Sequence, residues 1–352
     1  MDGSALVSPL SVMTAMLMTA NGAKGQTLRE MTDTLFDGMT LEEANAQLYN
    51  CYAALSNTEN ASLEDANAVF FSDRDDFTVS PEFIELVRDT FDAAVAEADF
   101  TDPGTVDVIN EWCRDHTADM IKKVLEYEDV STDTIMVLLN ALCFNALWET
   151  QYEDCQVRDQ VFRGTAGDQN VKMMYGEDGG YIKGGLEEGF VKYYKGGKYA
   201  FAALLPEKGM DITDYLETLG NGRLKALLES RKGRVKTGIP QFKYDMALDL
   251  AEQLQDMGIV TAFSNNSDLS GLGRMDDDSN LKISKVIHKT HIEVDPSGTK
   301  AAAVTAVVVE KVTSIGPDDL PEVILDRPFV YMIIDTTSML PVFMGTLGSI
   351  SG

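Results

Sequence analysis

Residues 293–329 read EVDPSGTKAAAVTAVVVEKVTSIGPDDLPEVILDRPF, and the fold turns on what this stretch is. From Thr299 to Val309 the side chains are almost all small or β-branched, Pro and Gly are absent, and Lys300 is the only charge. Such a run has strong strand propensity and the composition of segments that pair edge to edge. It is bracketed by Asp295-Pro296-Ser297-Gly298 and by Ile315-Gly316-Pro317-Asp318-Asp319, both of which read as loop punctuation. Two readings stand. One is an ordinary strand, buried on both faces inside a sheet; the other is a loop that can become such a strand. Composition alone favours the first.

Outside this stretch, charge and motifs remove several function classes. The 352 residues carry 29 basic and 57 acidic side chains, a formal net of −28. That balance repels phosphate backbones, so nucleic acid is not an expected partner. No apolar run reaches the ~18 residues that suggest a membrane span, and no basic segment followed by an apolar one marks a signal peptide. Cys51, Cys113, Cys143 and Cys155 are scattered without a Cys-x-x-Cys, which predicts reduced thiols and no zinc site. No cofactor is expected. A Gly-x-Ser-x-Gly elbow, His-Glu-x-x-His, a Walker loop and a helix-opening Gly-x-Gly-x-x-Gly are all absent, so an enzyme is disfavoured. Of His116, His288 and His291, His288 sits in an apolar strand, VIHKTHIEV, where a satisfied core histidine is the ordinary reading.

Helices come first and strands dominate later, an α+β pattern. Ser8-Pro9 reads as a helix start, and the helix that follows is apolar nearly all round and hence buried. Thr27 with Glu30 reads as a capping box for a second helix. Helical patterns follow over 41–63, 81–96 and 105–125, with a strand at 67–72. The run TIMVLLNALCFNALW at 134–148 is apolar on both faces and predicts a central strand. Its polar exceptions Asn140 and Asn145 need partners, because an unpaired buried amide costs about 1–3 kcal/mol. Residues 171–206 alternate strands and turns, with hairpins at Gly184-Gly185 and Gly196-Gly197. The spacing then predicts helix over 210–228 with a break near Gly220, and a strand from Pro240. A helix over 247–257 and a strand over 281–294 follow. Three closing strands lie at 322–325, 330–334 and 341–347.

The opening stretch resembles the hinge and reactive-site loop of the serpins, in which a Gly-Thr-Glu-Ala-Ala-Ala-Ala-Thr-Ala type hinge precedes an exposed bait sequence. Here it stands as Gly298-Thr299-Lys300-Ala301-Ala302-Ala303-Val304-Thr305-Ala306. The family's downstream signature is matched by Asp326-Arg327-Pro328-Phe329 and Pro341-Val342-Phe343-Met344-Gly345. Ser8-Pro9-Leu10-Ser11 is similar to the start of the family's second helix, and Asn140 with Trp148 to its central strand. The likeness runs in order over residues 4–350. It implies a single domain over 1–352 with the α+β serpin fold: three sheets, about eight helices and an exposed reactive-site loop over roughly 295–325. Only seven residues precede Ser8, so the family's first helix is expected to be missing.

The resemblance also implies roles. Gly298, Thr299, Ala301, Ala302, Ala303, Val304 and Thr305 would form the hinge. Ser8, Ser11, Asn140 and His288 would form the polar cluster called the shutter, beneath the sheet where strands part. Trp148 would mark the breach at its top. Counting from Gly298 as the family does places the reactive bond at Val312-Thr313, suited to an elastase-like pocket; a shift of one residue gives Lys311 and a trypsin-like target. The implied function is a suicide substrate of serine proteases, and of papain-like cysteine proteases, whose cleaved loop enters the central sheet and traps the enzyme covalently. A monomer outside the cell or at its surface is expected. No heparin-like cofactor is expected, since residues 41–63 lack a basic cluster. The alternative is a non-inhibitory carrier, chaperone or scaffold, which the hinge alanines disfavour. At the breach the family pairs a Glu with a Lys where this chain has Pro296 and Gln241, so the closed sheet must be held differently, with Trp148 and Asp295 as the candidates.

Overall fold

Eight helices and seventeen strands occupy the described residues of a computed structural model, namely 3–55, 58–299 and 320–350. In chain order they are β1 (Ala5–Val7), α1 (Pro9–Asn21), α2 (Gly25–Leu35), α3 (Leu41–Ala54), β2 (Ala61–Ser72), β3 (Phe77–Val79), α4 (Pro81–Phe91), β4 (Ala94–Ala98), α5 (Gly104–His116) and β5 (Met136–Leu147). Then come β6 (Val157–Gly164), β7 (Gly167–Lys183), β8 (Glu187–Tyr193), β9 (Tyr199–Pro206), α6 (Ile212–Glu217), α7 (Asn221–Glu229), β10 (Lys232–Pro240), β11 (Phe242–Asp249) and α8 (Ala251–Asp256). The chain closes with β12 (Gly273–Met275), β13 (Ile287–Val294), β14 (Gly298–Thr299), β15 (Glu322–Ile324), β16 (Phe329–Asp335) and β17 (Pro341–Leu347).

These strands make three sheets. The largest runs β1-β17-β16-β9-β8-β7-β10-β15, with β6 also on β7. A six-stranded sheet runs β11-β13-β14-β5-β2-β4, and β12 pairs with β3. The expected α+β class, three sheets and eight helices are all present. The main core lies where the two large sheets meet under α1, joining Met16 and Leu17 to Phe144, Phe201 and Tyr331. A second core under α5 gathers Ala68, Ile109, Cys113, Leu139 and Ala141. So β5 is buried from both faces, which is why its sequence shows no alternation.

Local chemistry explains the starts and stops. Ser8 has extended backbone and accepts from Ser11 N, with Pro9 at the first helical position of α1. The two glycine pairs lie in the β7–β8 and β8–β9 connections, and Gly196 and Gly197 both have positive φ. The helices expected over 41–63 and 81–96 end at Ala54 and Phe91, and 61–63 and 94–96 lie in strands β2 and β4. Four further expectations need correction. Thr27 does not open α2: its hydroxyl accepts from Asp268 N at 2.9 Å, and Glu30 takes Val260 N and Thr261 N at 2.9 and 2.6 Å. Both side chains cap a distant loop instead. α5 ends at His116, not near 125, because Ala118 and Asp119 turn to positive φ and Thr117 Oγ1 takes Ile121 N. Residues 247–249 are strand, paired with 287–289. Finally, 281–286 do not join β13. They are drawn towards other loops by Ile283 N on Ala262 O, Lys285 on Asp129, and Val286 N on Asp249 Oδ1.

Candidate functional site

β14 is two residues long and sits between β13 and β5. Thr299 lies opposite Val294 on one side and Ala146 on the other, and Gly298 opposite Leu147. Glycine is required here by closeness, not by a left-handed backbone: a Cβ on Gly298 would lie 2.0 Å from the Ala146 carbonyl oxygen. The approach to it is a tight turn. Asp295 Oδ1 accepts from Ser297 N at 2.6 Å and Gly298 N at 3.0 Å, and Asp295 N donates to Gly298 O. The carboxylate considered as half of an ion pair is therefore spent on backbone amides.

The aromatic residues above β5 grip that turn from outside. Trp148 N donates to Ser297 O and Trp148 Nε1 to Asp295 O, both at 2.9 Å; Tyr152 N donates to Pro296 O at 3.0 Å. The Trp148 ring stacks on Tyr194 with centroids 4.5 Å apart and planes 8° from parallel. Tyr194 in turn hydrogen-bonds the hydroxyl of Thr299, and both are buried. The expectation that Trp148 helps hold the top of the sheet agrees with this geometry. Tyr152 and Tyr194 were not foreseen, because nothing in a strand-and-turn pattern says which aromatic faces the hinge.

Lower down, neither strand has a ladder partner at this junction among the described residues. Along β5, residues 136–145 pair with β2 on one side and have no strand partner on the other among the described residues. A cavity of about 520 Å³ fills the gap, lined by residues 136–140, 281–288 and the α1 side chains Ser11, Val12, Ala15 and Met16. Of the polar residues expected beneath the sheet, Ser11, Asn140 and His288 line this cavity and Ser8 bonds to His288; they fall in two groups. His288 is 4% exposed, and its Nε2 accepts from Ser8 N at 3.0 Å, so the proton sits on Nδ1. Desolvation lowers its pKa to about 4, leaving it neutral. Ser8 Oγ donates to Val342 O at 2.9 Å, tying α1 to β17.

Asn140 belongs to the other group. Its side-chain amide donates to Asp65 Oδ1 and Asn67 Oδ1, each at 2.7 Å, and only its backbone carbonyl meets Ser11, at 3.4 Å. Asn67 lies directly opposite it in the β2–β5 register, and Tyr52 links Asp65 to Thr14. Both groups reach α1, His288 through Ser8 N and the Asn140 amide through Asp65, Tyr52 and Thr14. Asp65, Asn67 and Tyr52 were missed because register is not visible in a single sequence. Ala301, Ala302, Ala303, Val304, Thr305, Lys311, Val312 and Thr313 lie outside the described residues.

Comparison with known proteins matches this chain to the family model "Serpin (serine protease inhibitor)" over residues 1–349. The leukocyte elastase inhibitor of Bos taurus is 30% identical, with 99% of this chain and 93% of that protein covered. Among solved structures, the thermophilic serpin tengpin in its native state has a TM-score of 0.92 at 37% identity, covering 99% of this chain and 89% of that one. The same protein in its latent state scores 0.87 at 36% identity, with 99% and 92% covered.

Proposed function

The chain belongs to the serpin family, a family of serine protease inhibitors with non-inhibitory members such as thyroxine-binding globulin, and we propose that it is a suicide substrate for serine proteases. The observation that carries the reading is the junction of β13 and β5: a two-residue strand hydrogen-bonded to both neighbours at the top, and beneath it a long stretch of β5 with no strand partner on that side among the described residues. A sheet with a seeded, unfilled slot is what an inserting loop requires. The greater likeness to tengpin in its native state than in its latent state agrees with a slot not yet filled.

The energetics support a trap. Filling the slot along β5 gives on the order of ten ladder hydrogen bonds at about 1 kcal/mol each, plus burial of small apolar side chains. The sum is comparable with the ~5–15 kcal/mol stability of a whole domain, so the unfilled form is held kinetically. The protease serine attacks the carbonyl carbon of Val312; its proton passes to the departing amine of Thr313, and an ester joins the two proteins. Insertion of about fourteen residues at roughly 3.3 Å each then carries the enzyme some 45 Å before water can hydrolyse the ester. Val312 favours an elastase-like target, and Lys311 a trypsin-like one. We also infer that the protein acts as a monomer.

Mixing the protein with neutrophil elastase and with trypsin, followed by a denaturing gel, tests this. A covalent band near the summed mass is expected with elastase, and sequencing the released peptide identifies the bond. Cleavage of the loop with no covalent band would overturn the inhibitory reading and leave the carrier.

A further inference from the structure

The sequence GFVKYY places a lysine among apolar and aromatic neighbours in β8, and the structure buries it. Lys192 on β8 is 3% exposed, and its ammonium reaches the backbone of Thr150, just beyond the end of β5. Nζ donates to Asp178 Oδ1 on β7 at 3.0 Å and to Thr150 O at 3.2 Å. Asp178 also accepts from Thr237 Oγ1 on β10 at 2.6 Å, so one carboxylate fastens three strands. The ammonium lies 4.5 Å from the centroid of the Tyr152 ring and 5.3 Å from that of Trp148. Those are the two residues whose amides and indole hold the carbonyls of Asp295, Pro296 and Ser297.

A buried charge of this kind is weak evidence for stability, because desolvation offsets much of its attraction; removing one partner is what costs. Its geometric effect is more definite. A cation close to two aromatic rings favours the arrangement in which both remain beside it, and does so more strongly where water is excluded. We propose that Lys192, anchored by Asp178, is a positioning residue for the hinge: it holds Trp148 and Tyr152 where they grip the turn before Gly298, and so controls how the chain beyond Thr299 moves down the slot. The pair stands in the region where the ion pair expected at Pro296 and Gln241 is lacking. This inference rests on the inhibitory reading for its kinetic consequence and on geometry alone for its conformational one.

The test compares Lys192→Met, which keeps length and removes charge, with Lys192→Arg, which keeps the charge. Two measurements are made on each: the molar ratio of protein needed to silence one protease, and the denaturation midpoints of the intact and loop-cleaved forms. Lys192→Met should raise the molar ratio by about threefold or more, with Lys192→Arg close to the parent. It should lower the midpoint of the intact form by more than that of the cleaved form: the unpaired Asp178 costs both, and the lost grip on the turn costs only the intact one. Equal losses in both forms, or an unchanged ratio, would overturn the proposal by reducing Lys192 to a packing residue. Should Lys192→Met fail to fold, Asp178→Asn leaves the amine in place and Thr237 an acceptor, and is judged by the same two measurements. If the parent protein forms no covalent complex, the inhibitory reading falls, and the intact-versus-cleaved comparison still decides the role of Lys192.

Discussion

At the top of the six-stranded sheet, Gly298 and Thr299 lie between β13 and β5 with hydrogen bonds to both, whereas from Met136 to Asn140 the same junction is a cavity. The upper part is crowded: a Cβ cannot be added to Gly298, and Trp148, Tyr152 and Tyr194 contact the turn or the hinge directly. The lower part is roomy; of its lining residues, His288 accepts from the start of α1, Asn140 donates to β2, and Lys285 pairs with Asp129. The contrast assigns different work to the two ends. On the proposed insertion, contacts above would determine whether a strand can start, and those below what it displaces as it grows.

Changes above should therefore be the more severe. Gly298→Val drives a side chain into the Ala146 carbonyl and should cost about 4 kcal/mol of stability, measurable by chemical denaturation; formation of covalent complex with elastase should fail with it. If Gly298→Val kept full inhibition, close packing at the top would not govern entry.

Below, the largest effect is a pH dependence. The imidazole of His288 titrates near 4 when folded, against 6.5 for its ordinary value. Between these values the unfolded chain binds more protons, so the stability contribution is complete above about pH 6.5 and is lost as pH falls towards 4. At most it amounts to roughly 3 kcal/mol. Denaturation midpoints at pH 7.5 and 4.5 should differ less for His288→Gln than for the parent. Parallel profiles would remove His288 from the acid response.

Two smaller effects complete the series. Trp148→Phe keeps an aromatic ring on Tyr194 but loses the bond to Asp295 O, and should lower intact-form stability by about 2 kcal/mol. It should also speed spontaneous loss of inhibitory activity on storage. Ser8→Ala removes the cap on Ser11 N and the link to Val342 O at about 1 kcal/mol, read as a shift in urea midpoint with the slope unchanged. A larger loss for Ser8→Ala than for Trp148→Phe would reverse the ranking of the two ends.

Much of this was legible in the residues. The Ser-Pro helix start, the doubly buried run around Asn140, the glycine hairpins and the closing strands all follow from local rules of capping, periodicity and turn chemistry. What escaped was decided by long-range partners. Thr27 and Glu30 have the spacing of a capping box, yet loop amides at Asp268 and at Val260 and Thr261 compete for both and win. The amphipathic pattern continues past His116 because Met120, Ile121 and Val124 are buried without being helical. Asn140 needed partners, as its place in an apolar strand required. That they would be Asp65 and Asn67 depended on a strand register set elsewhere.

The pairing of Thr299 with Val294 and Ala146 also fixes a phase. Any chain that lengthens downward from it inherits the alternation already begun, with residues 301, 303 and 305 on the inward side that Thr299 occupies and Lys300 on the other. Deleting one residue just after Thr299 would exchange the two sets and turn their sides over. Two paired residues would thus set the orientation of each side chain in a strand inserted after them.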